Sequence, residues 1–300
     1  MLRGLIVRSQ SGFYTVATQQ GERVCHLRGR MKKGPRLGDV VAVGDWVLLT
    51  PLEGATGVIE EVEPRQRMFT RLAPNPQGEY QQILIANPDQ VVLVFACAEP
   101  APRFGMLDRY LVIAEQQGVP AMIVANKTDL VIPKEAESLF GRYPALGYPV
   151  HHTSVRSGEG IAGLHRELCG KVSLLTGPSG VGKTSLLNAV QPGLGLAVRQ
   201  VSQATSKGRH TTVVREMFPL DGGGYVADTP GLKALALVDI EPEELDGYFP
   251  ELRSLVDACQ FSDCTHVHEP GCAVLQALEQ GAIHPERYQS YLRMRFGEEE

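Results

Sequence analysis

Leu175-Thr176-Gly177-Pro178-Ser179-Gly180-Val181-Gly182-Lys183-Thr184-Ser185 is the stretch that decides the fold. It reads Gly, four residues, Gly-Lys-Thr, with an apolar run at 172–175 before it and another at 186–190 after it. Those flanks predict a strand, a tight glycine loop and a helix. The glycines let the backbone curl so that several N–H groups face inward, and the helix start adds its positive dipole end, which suits a polyphosphate. Gly177, Pro178, Ser179, Gly180, Val181, Gly182 and Ser185 are therefore read as the cradle. Lys183 would reach the terminal phosphates, and Thr184 offers a hydroxyl to a Mg²⁺ ion that bridges them.

Working upstream, strands are expected at 90–96, 121–124 and 150–155, with helices at 106–117, from 134 and at 161–169. This alternation implies a mostly parallel sheet covered on both faces, with ligand loops at the carboxyl ends of its strands. One such loop is Asn126-Lys127-Thr128-Asp129. A carboxylate at 129 can accept from both N1–H and N2–H of guanine, whereas adenine presents an acceptor at N1 and leaves Asp129 unpaired. Asn126 would brace the loop or touch the base, and the Lys127 stem could lie over the ring. A second loop begins at Ser154 and Val155, whose N–H groups could meet the guanine carbonyl. Downstream, the strand expected at 224–227 leads into Asp228-Thr229-Pro230-Gly231, where Asp228 could hold Mg²⁺ and Gly231 N–H could bond the γ-phosphate. Either Thr211 or Thr212 could close over the metal.

The first sixty residues carry short β-type runs at 5–7, 13–17, 24–27, 40–43, 46–49 and 57–59, separated by turn residues. Such density suggests a small closed barrel of the oligonucleotide-binding type over residues 1–64. Arg3, Arg8, Arg23, Arg28, Arg30, Lys32, Lys33 and Arg36 face only Glu22 before Asp39, a local basic cluster fitting phosphate-backbone contact. Residues 65–80, with Pro74 and Pro76, read as a linker, and 81–235 as the nucleotide domain.

Residues 236–300 read as a helical module built around Cys259, Cys264, Cys272 and a histidine, His266 or His268. Three thiols and an imidazole at this spacing suit one closed tetrahedral Zn²⁺ site. Cys25, Cys97 and Cys169 stand apart and read as reduced thiols. The net charge of −5 excludes a generally basic nucleic-acid coat. No charged-then-apolar leader follows Met1, and the longest apolar run, 91–98, is far below the roughly twenty residues of a membrane span, so a soluble cytoplasmic protein is expected.

The phosphate loop, the Asp228–Gly231 turn and the 126–129 and 154 loops resemble the nucleotide motifs of GTP-hydrolysing P-loop proteins, but in rotated order: the base-reading loop precedes the phosphate loop. With a barrel ahead and a cysteine-rich tail behind, nearly the whole chain resembles the RsgA (YjeQ) family of circularly permuted ribosome-biogenesis GTPases. The resemblance implies a GTPase that binds GTP and GDP. It also implies that the chain acts late in maturation of the small (30S) ribosomal subunit, contacts its rRNA and is stimulated by it; a monomer is expected when the chain is free. It favours His266 as the fourth zinc ligand. Gly208-Arg209-His210-Thr211-Thr212 matches the family's switch segment, with Val213 where a third threonine is common. Leu232 stands where Ras-like enzymes carry a water-orienting glutamine, and the family suggests His210 instead, so His210, Lys183 and Thr184 are the catalytic candidates. A different reading makes the chain an RNA-binding assembly module that uses GTP only as a conformational clamp.

Overall fold

The computed structural model describes residues 1–32, 39–73, 80–196, 215–228 and 240–298. Strands β1 (Leu2–Gln10), β2 (Phe13–Thr18) and β3 (Gly21–Leu27) form an antiparallel meander. The first turn is Ser11-Gly12 with φ of 51° and 82°, a backbone whose twist matches a two-residue hairpin. Strands β4 (Trp46–Pro51) and β5 (Thr56–Val62) pair with each other; β5 runs parallel to β3, and β4 returns antiparallel to β1. The order β1-β2-β3-β5-β4 thereby closes on itself as a five-stranded barrel, filled by Ile6, Val16, Cys25, Val47, Leu49 and Ile59.

The expected strand at 40–43 is not one. Val41, Ala42 and Val43 are buried, yet the fully buried Asp45 accepts the Ala42 N–H at 2.7 Å and is gripped by Arg65 Nε and Nη2 at 2.7 and 2.8 Å. A side-chain carboxylate has taken the backbone donor that a ladder would need. The segment expected as a linker also differs: β6 (Met68–Ala73) pairs antiparallel with β7 (Tyr80–Ala86). Part of the basic cluster is consumed locally. Arg3 binds Glu63 and lies over Trp46, Arg23 donates to the Gly54 and Thr56 carbonyls, and Arg28 meets Glu60.

Beyond the hairpin come β8 (Gln90–Ala96), α1 (Phe104–Gln116), β9 (Ala121–Asn126), α2 (Pro133–Phe140), β10 (Val150–Thr153), α3 (Ile161–Leu168), β11 (Val172–Thr176), α4 (Lys183–Val190), β12 (Arg215–Pro219) and β13 (Tyr225–Asp228). The sheet order is β10-β9-β8-β11-β13-β12, parallel except for β12. Every residue of β8 is buried: Val91, Leu93 and Phe95 face Leu107, Tyr110 and Leu111 of α1, while Val92 and Val94 face Leu164 of α3 and Leu186 of α4. The continuous apolar run is thus that of a strand covered on both sides. At its outer edge β12 pairs antiparallel with β1, Arg8 opposite Glu216 and Ser9 opposite Arg215, so barrel and nucleotide sheet form one continuous ladder.

The tail holds α5 (Pro250–Arg253), α6 (Ala273–Glu279) and α7 (Pro285–Arg295). Ahead of α6 the module expected to be helical is largely 3₁₀: one such turn spans Pro242–Tyr248, and the short α5 is followed by another at Val256–Ala258. Val112 of α1 packs with Leu245, Phe249, Leu252 and Tyr291. Above this contact Arg287 is buried between two acids, 2.7 Å from Asp108 of α1 and 2.6 Å from Glu251 of α5. Asp108 also accepts the hydroxyls of Tyr143 and Ser290. Burial opposes the Arg287 charge, but the two carboxylates outweigh it and hold the guanidinium above its ordinary pKa. No helix among the described residues is long and apolar enough to cross a membrane.

Candidate nucleotide and metal sites

The phosphate loop leaves β11 and enters α4, with Gly177, Gly180 and Gly182 at φ of 145°, 84° and 94°. A Cβ on Gly177 would lie 2.1 Å from the Val94 carbonyl oxygen, and one on Gly182 would lie 2.7 Å from Asn126 Nδ2. Both glycines are therefore required by close approach as well as by conformation. Lys183 is folded inward, donating to the carbonyls of Gly177 and Pro178 at 2.8 Å each. Burial lowers its pKa, offset in part by Asp228. Thr184 Oγ1 donates to Asp228 Oδ2 at 3.3 Å. Asp228 Oδ1 is buried with no hydrogen-bond partner among the described residues, and burial raises this carboxyl's pKa against the pull of Lys183 and Thr184. A hydroxyl, a carboxylate with an unfilled oxygen and a lysine at the start of a helix are a donor set that fits a hard cation and phosphate oxygens.

The base-reading loop is packed directly against this cradle. Asn126 Nδ2 donates to the Val181 carbonyl at 2.8 Å, and its Oδ1 accepts from Thr153 Oγ1 at 3.0 Å, so both ends of the amide brace loops. Lys127 adopts a left-handed backbone, φ 61°, and its Nζ donates to the Glu99 carbonyl. Thr128 Oγ1 reaches the Thr153 carbonyl and Glu159 Oε2. Asp129 Oδ1 accepts the Ser154 hydroxyl at 2.6 Å, and its Oδ2 lies 4.0 Å from Arg156 Nη1. Of the two N–H groups expected to meet a base carbonyl, that of Ser154 is already given to the Glu159 carbonyl at 3.0 Å. Thr153 and Glu159 carry no motif, and neither was expected from the sequence. Beside the phosphate loop lies a cavity of about 270 Å³, lined by Phe95, Pro102, Arg103, Met106, Pro178 and Val181, apart from the base-reading residues.

In the tail, Cys259, Cys264, His266 and Cys272 bring their ligand atoms within 4.8 Å of one another. His266 Nδ1 is 3.6 Å from Cys259 Sγ and 3.4 Å from Cys272 Sγ, and the two sulfurs are 3.9 Å apart and unbonded. Tetrahedral zinc with ordinary bond lengths sets sulfur–sulfur and sulfur–nitrogen separations of about 3.8 and about 3.5 Å, so the cluster has the dimensions of that ion's shell. His268 is exposed and stands outside it. Glu269 shapes the loop by accepting the N–H groups of Thr265, Val267 and His268 and the Thr265 hydroxyl; burial opposes its charge, but the Thr265 hydroxyl and the backbone donors of Thr265 and Val267 hold its carboxyl below the usual range.

The RsgA GTPase family profile matches residues 62–238, and the RsgA N-terminal domain profile matches residues 3–59. The chain belongs to the RsgA GTPase family. A relative from Gemmatimonas aurantiaca named small ribosomal subunit biogenesis GTPase RsgA is 47% identical, over 97% of this chain and 96% of its own. One of the same name from Bacteroides fragilis is 40% identical over 100% of this chain and 98% of its own. The solved YjeQ from Thermotoga maritima superposes with a TM-score of 0.79 at 38% identity, covering 99% of this chain and 98% of that one. YloQ, titled a circularly permuted GTPase, gives 0.74 at 30% identity, covering 99% and 95%.

The RsgA-family chain is thus a GTPase with an N-terminal β-barrel, a permuted P-loop domain and a cysteine-rich helical tail, as its motifs indicated. Binding of GTP, GDP and Mg²⁺ follows from that membership. The structure brings together Asn126, Lys127, Thr128, Asp129, Ser154, the phosphate loop and Asp228 at the carboxyl ends of β9, β10, β11 and β13. His210, Thr211, Thr212 and Gly231 lie outside the described residues. Asp246, which meets His266, was absent from the expectations, because no local spacing rule links positions twenty residues apart.

Proposed function

We propose that this GTPase acts in maturation of the small ribosomal subunit, binding the subunit through rRNA and hydrolysing GTP faster when bound. The observation that supports it is the Asn126–Val181 bond, which joins the earlier base-reading loop to the later phosphate loop within a chain closely similar to named small-subunit biogenesis GTPases. Asp129, held by Ser154, reads the guanine edge, and Asn126, Thr128 and Lys127 fix the loop that presents it. In hydrolysis, water attacks the γ-phosphorus, the bond to the β–γ bridging oxygen breaks, and GDP and phosphate depart. Lys183 exchanges its two carbonyl partners for β- and γ-phosphate oxygens. Thr184 and Asp228 would hold Mg²⁺, which when bound neutralises charge on those same oxygens. His210 positions the attacking water, since Leu232 has no polar group with which to do so. Thr211 or Thr212 and Gly231 complete the contacts to the metal and γ-phosphate. Cys259, Cys264, His266 and Cys272 hold one zinc ion as a structural centre. Residues 1–64 serve as the barrel, 81–235 as the GTPase domain and 236–300 as the zinc module, with 65–80, which carries β6 and the start of β7, joining the first two. The protein works in the cytoplasm as a monomer when free.

The test is GTP turnover by the full chain with and without purified small subunits. A rise in turnover with small subunits, and none with large subunits at equal concentration, is expected. Equal turnover in all three conditions would remove the subunit from the reading while leaving the GTPase assignment intact.

A further inference from the structure

We propose that Asp246 is the positioning residue of the metal cluster, holding the proton of His266 on Nε2 so that Nδ1 faces the thiols. The inference rests on the zinc reading of Cys259, Cys264, His266 and Cys272. His266 is fully buried, with Nδ1 3.6 and 3.4 Å from the sulfurs of Cys259 and Cys272 and Nε2 3.1 Å from Asp246 Oδ2. An imidazole that offers one nitrogen to a cation carries its proton on the other, and a buried N–H needs an acceptor. Among the described residues Asp246 is the acceptor found there. The backbone beneath the ring is also held: His266 sits at φ 59°, and its carbonyl takes the Tyr288 hydroxyl at 2.6 Å.

The placement of Asp246 gives this contact a wider reach. It lies on the 3₁₀ turn Pro242–Tyr248, beside Leu245, which packs with Val112 of α1 and with the cluster residues Cys264 and Cys272. The acid therefore ties the metal cluster to a helix of the nucleotide domain, not only to its own loop. Such outer carboxylates orient ligating histidines and raise their basicity, and their loss costs about 10- to 100-fold in metal affinity.

Zinc-loaded full-length protein, with Asp246→Ala, Asp246→Asn and the exposed control Asp257→Ala, is titrated with a chromogenic chelator to obtain zinc affinity. Cobalt(II) absorption of each form is recorded as a second readout of the ligand set. Asp246→Ala is expected to bind zinc about 10- to 100-fold more weakly, with thiolate-to-cobalt bands retained and the ligand-field bands shifted. Asp246→Asn keeps an oxygen acceptor and should fall between it and the parent, while Asp257→Ala matches the parent. Affinity of Asp246→Ala within about twofold of the parent would overturn the proposal, as would an equal loss in Asp257→Ala. If Asp246→Ala is not recovered folded, Asp246→Asn against Asp257→Ala decides by the same criterion. A parent chain that takes up no zinc overturns the zinc reading and this role with it; one equivalent of zinc with unaffected variants overturns only the role of Asp246.

Discussion

Replacing Asp129 by Asn should convert the preference for GTP into one for xanthosine triphosphate. The Asp129 side chain is only 20% exposed, and Oδ1 is pinned by the Ser154 hydroxyl at 2.6 Å, so its second oxygen is aimed before ligand arrives. Asn can keep the Ser154 bond through its amide oxygen, which leaves the loop intact and turns the amide NH₂ toward the base. Guanine then loses an acceptor held by charge, about 1.5–3 kcal/mol, and faces a donor with a donor, about 1–3 kcal/mol more. The sum of about 2.5–6 kcal/mol corresponds to GTP binding weaker by roughly 70-fold to roughly 20,000-fold. Xanthine carries a carbonyl where guanine has its exocyclic amine, so the new NH₂ meets an acceptor. Calorimetric titration of both nucleotides with Mg²⁺ into parent and variant measures the ratio directly. A GTP-to-xanthosine-triphosphate affinity ratio that is the same in both proteins refutes the geometry, because the substitution reverses the hydrogen-bonding character of the group that this reading aims at that edge.

Acid should weaken Mg²⁺-dependent GTP binding sooner than an ordinary aspartate would allow. Burial raises the Asp228 pKa, so this group's contribution to stability is full below its unfolded value and is lost as pH rises through the folded one. Lowering the pH thus favours the nucleotide-free fold at this residue while removing the anion Mg²⁺ needs; identical Mg²⁺ titrations at pH 7 and pH 5 would contradict this. Arg287→Met leaves Asp108 and Glu251 buried without their cation, and a loss of about 3–5 kcal/mol in urea unfolding is expected, with faster amide exchange in α7. A loss below about 1 kcal/mol would show that the ion cluster does not hold the tail to α1. His210→Ala should lower kcat on the order of 10²-fold with GTP affinity unchanged, and turnover equal to the parent in the presence of small subunits would take His210 out of the mechanism.

The nucleotide site was legible because its constraints are local. A phosphate cradle needs Gly177 and Gly182 at fixed spacing from Lys183, and a guanine edge needs a carboxylate at 129, so short motifs carry the chemistry. The barrel was legible from turn spacing, but not in detail. Val40 to Val43 has the composition of a strand, and only the distant Arg65 and the buried Asp45 turn it into a loop. The β6–β7 hairpin was hidden by the prolines between its strands, which gave the whole stretch the look of a connector. Long-range polar contacts left no trace in the sequence: nothing near Asp108 announces Arg287, and nothing near Asp246 announces His266. Asn126 shows the limit from the other side. Residue type left two roles open, and only the positions of Val181 and Thr153 show its amide used as a brace.

The pairing of β1 with β12 gives the rotated gene order a structural use. Without it, β12 would border the nucleotide sheet with a row of free amide and carbonyl groups, open to any stray strand from another chain. Starting the polypeptide with the barrel places its first strand against that border, and the Arg215–Asp39 ion pair at 2.9 Å fastens the seam. The barrel is consequently a stopper for part of the sheet's raw margin, and it cannot swing away from the GTPase domain without unzipping that seam.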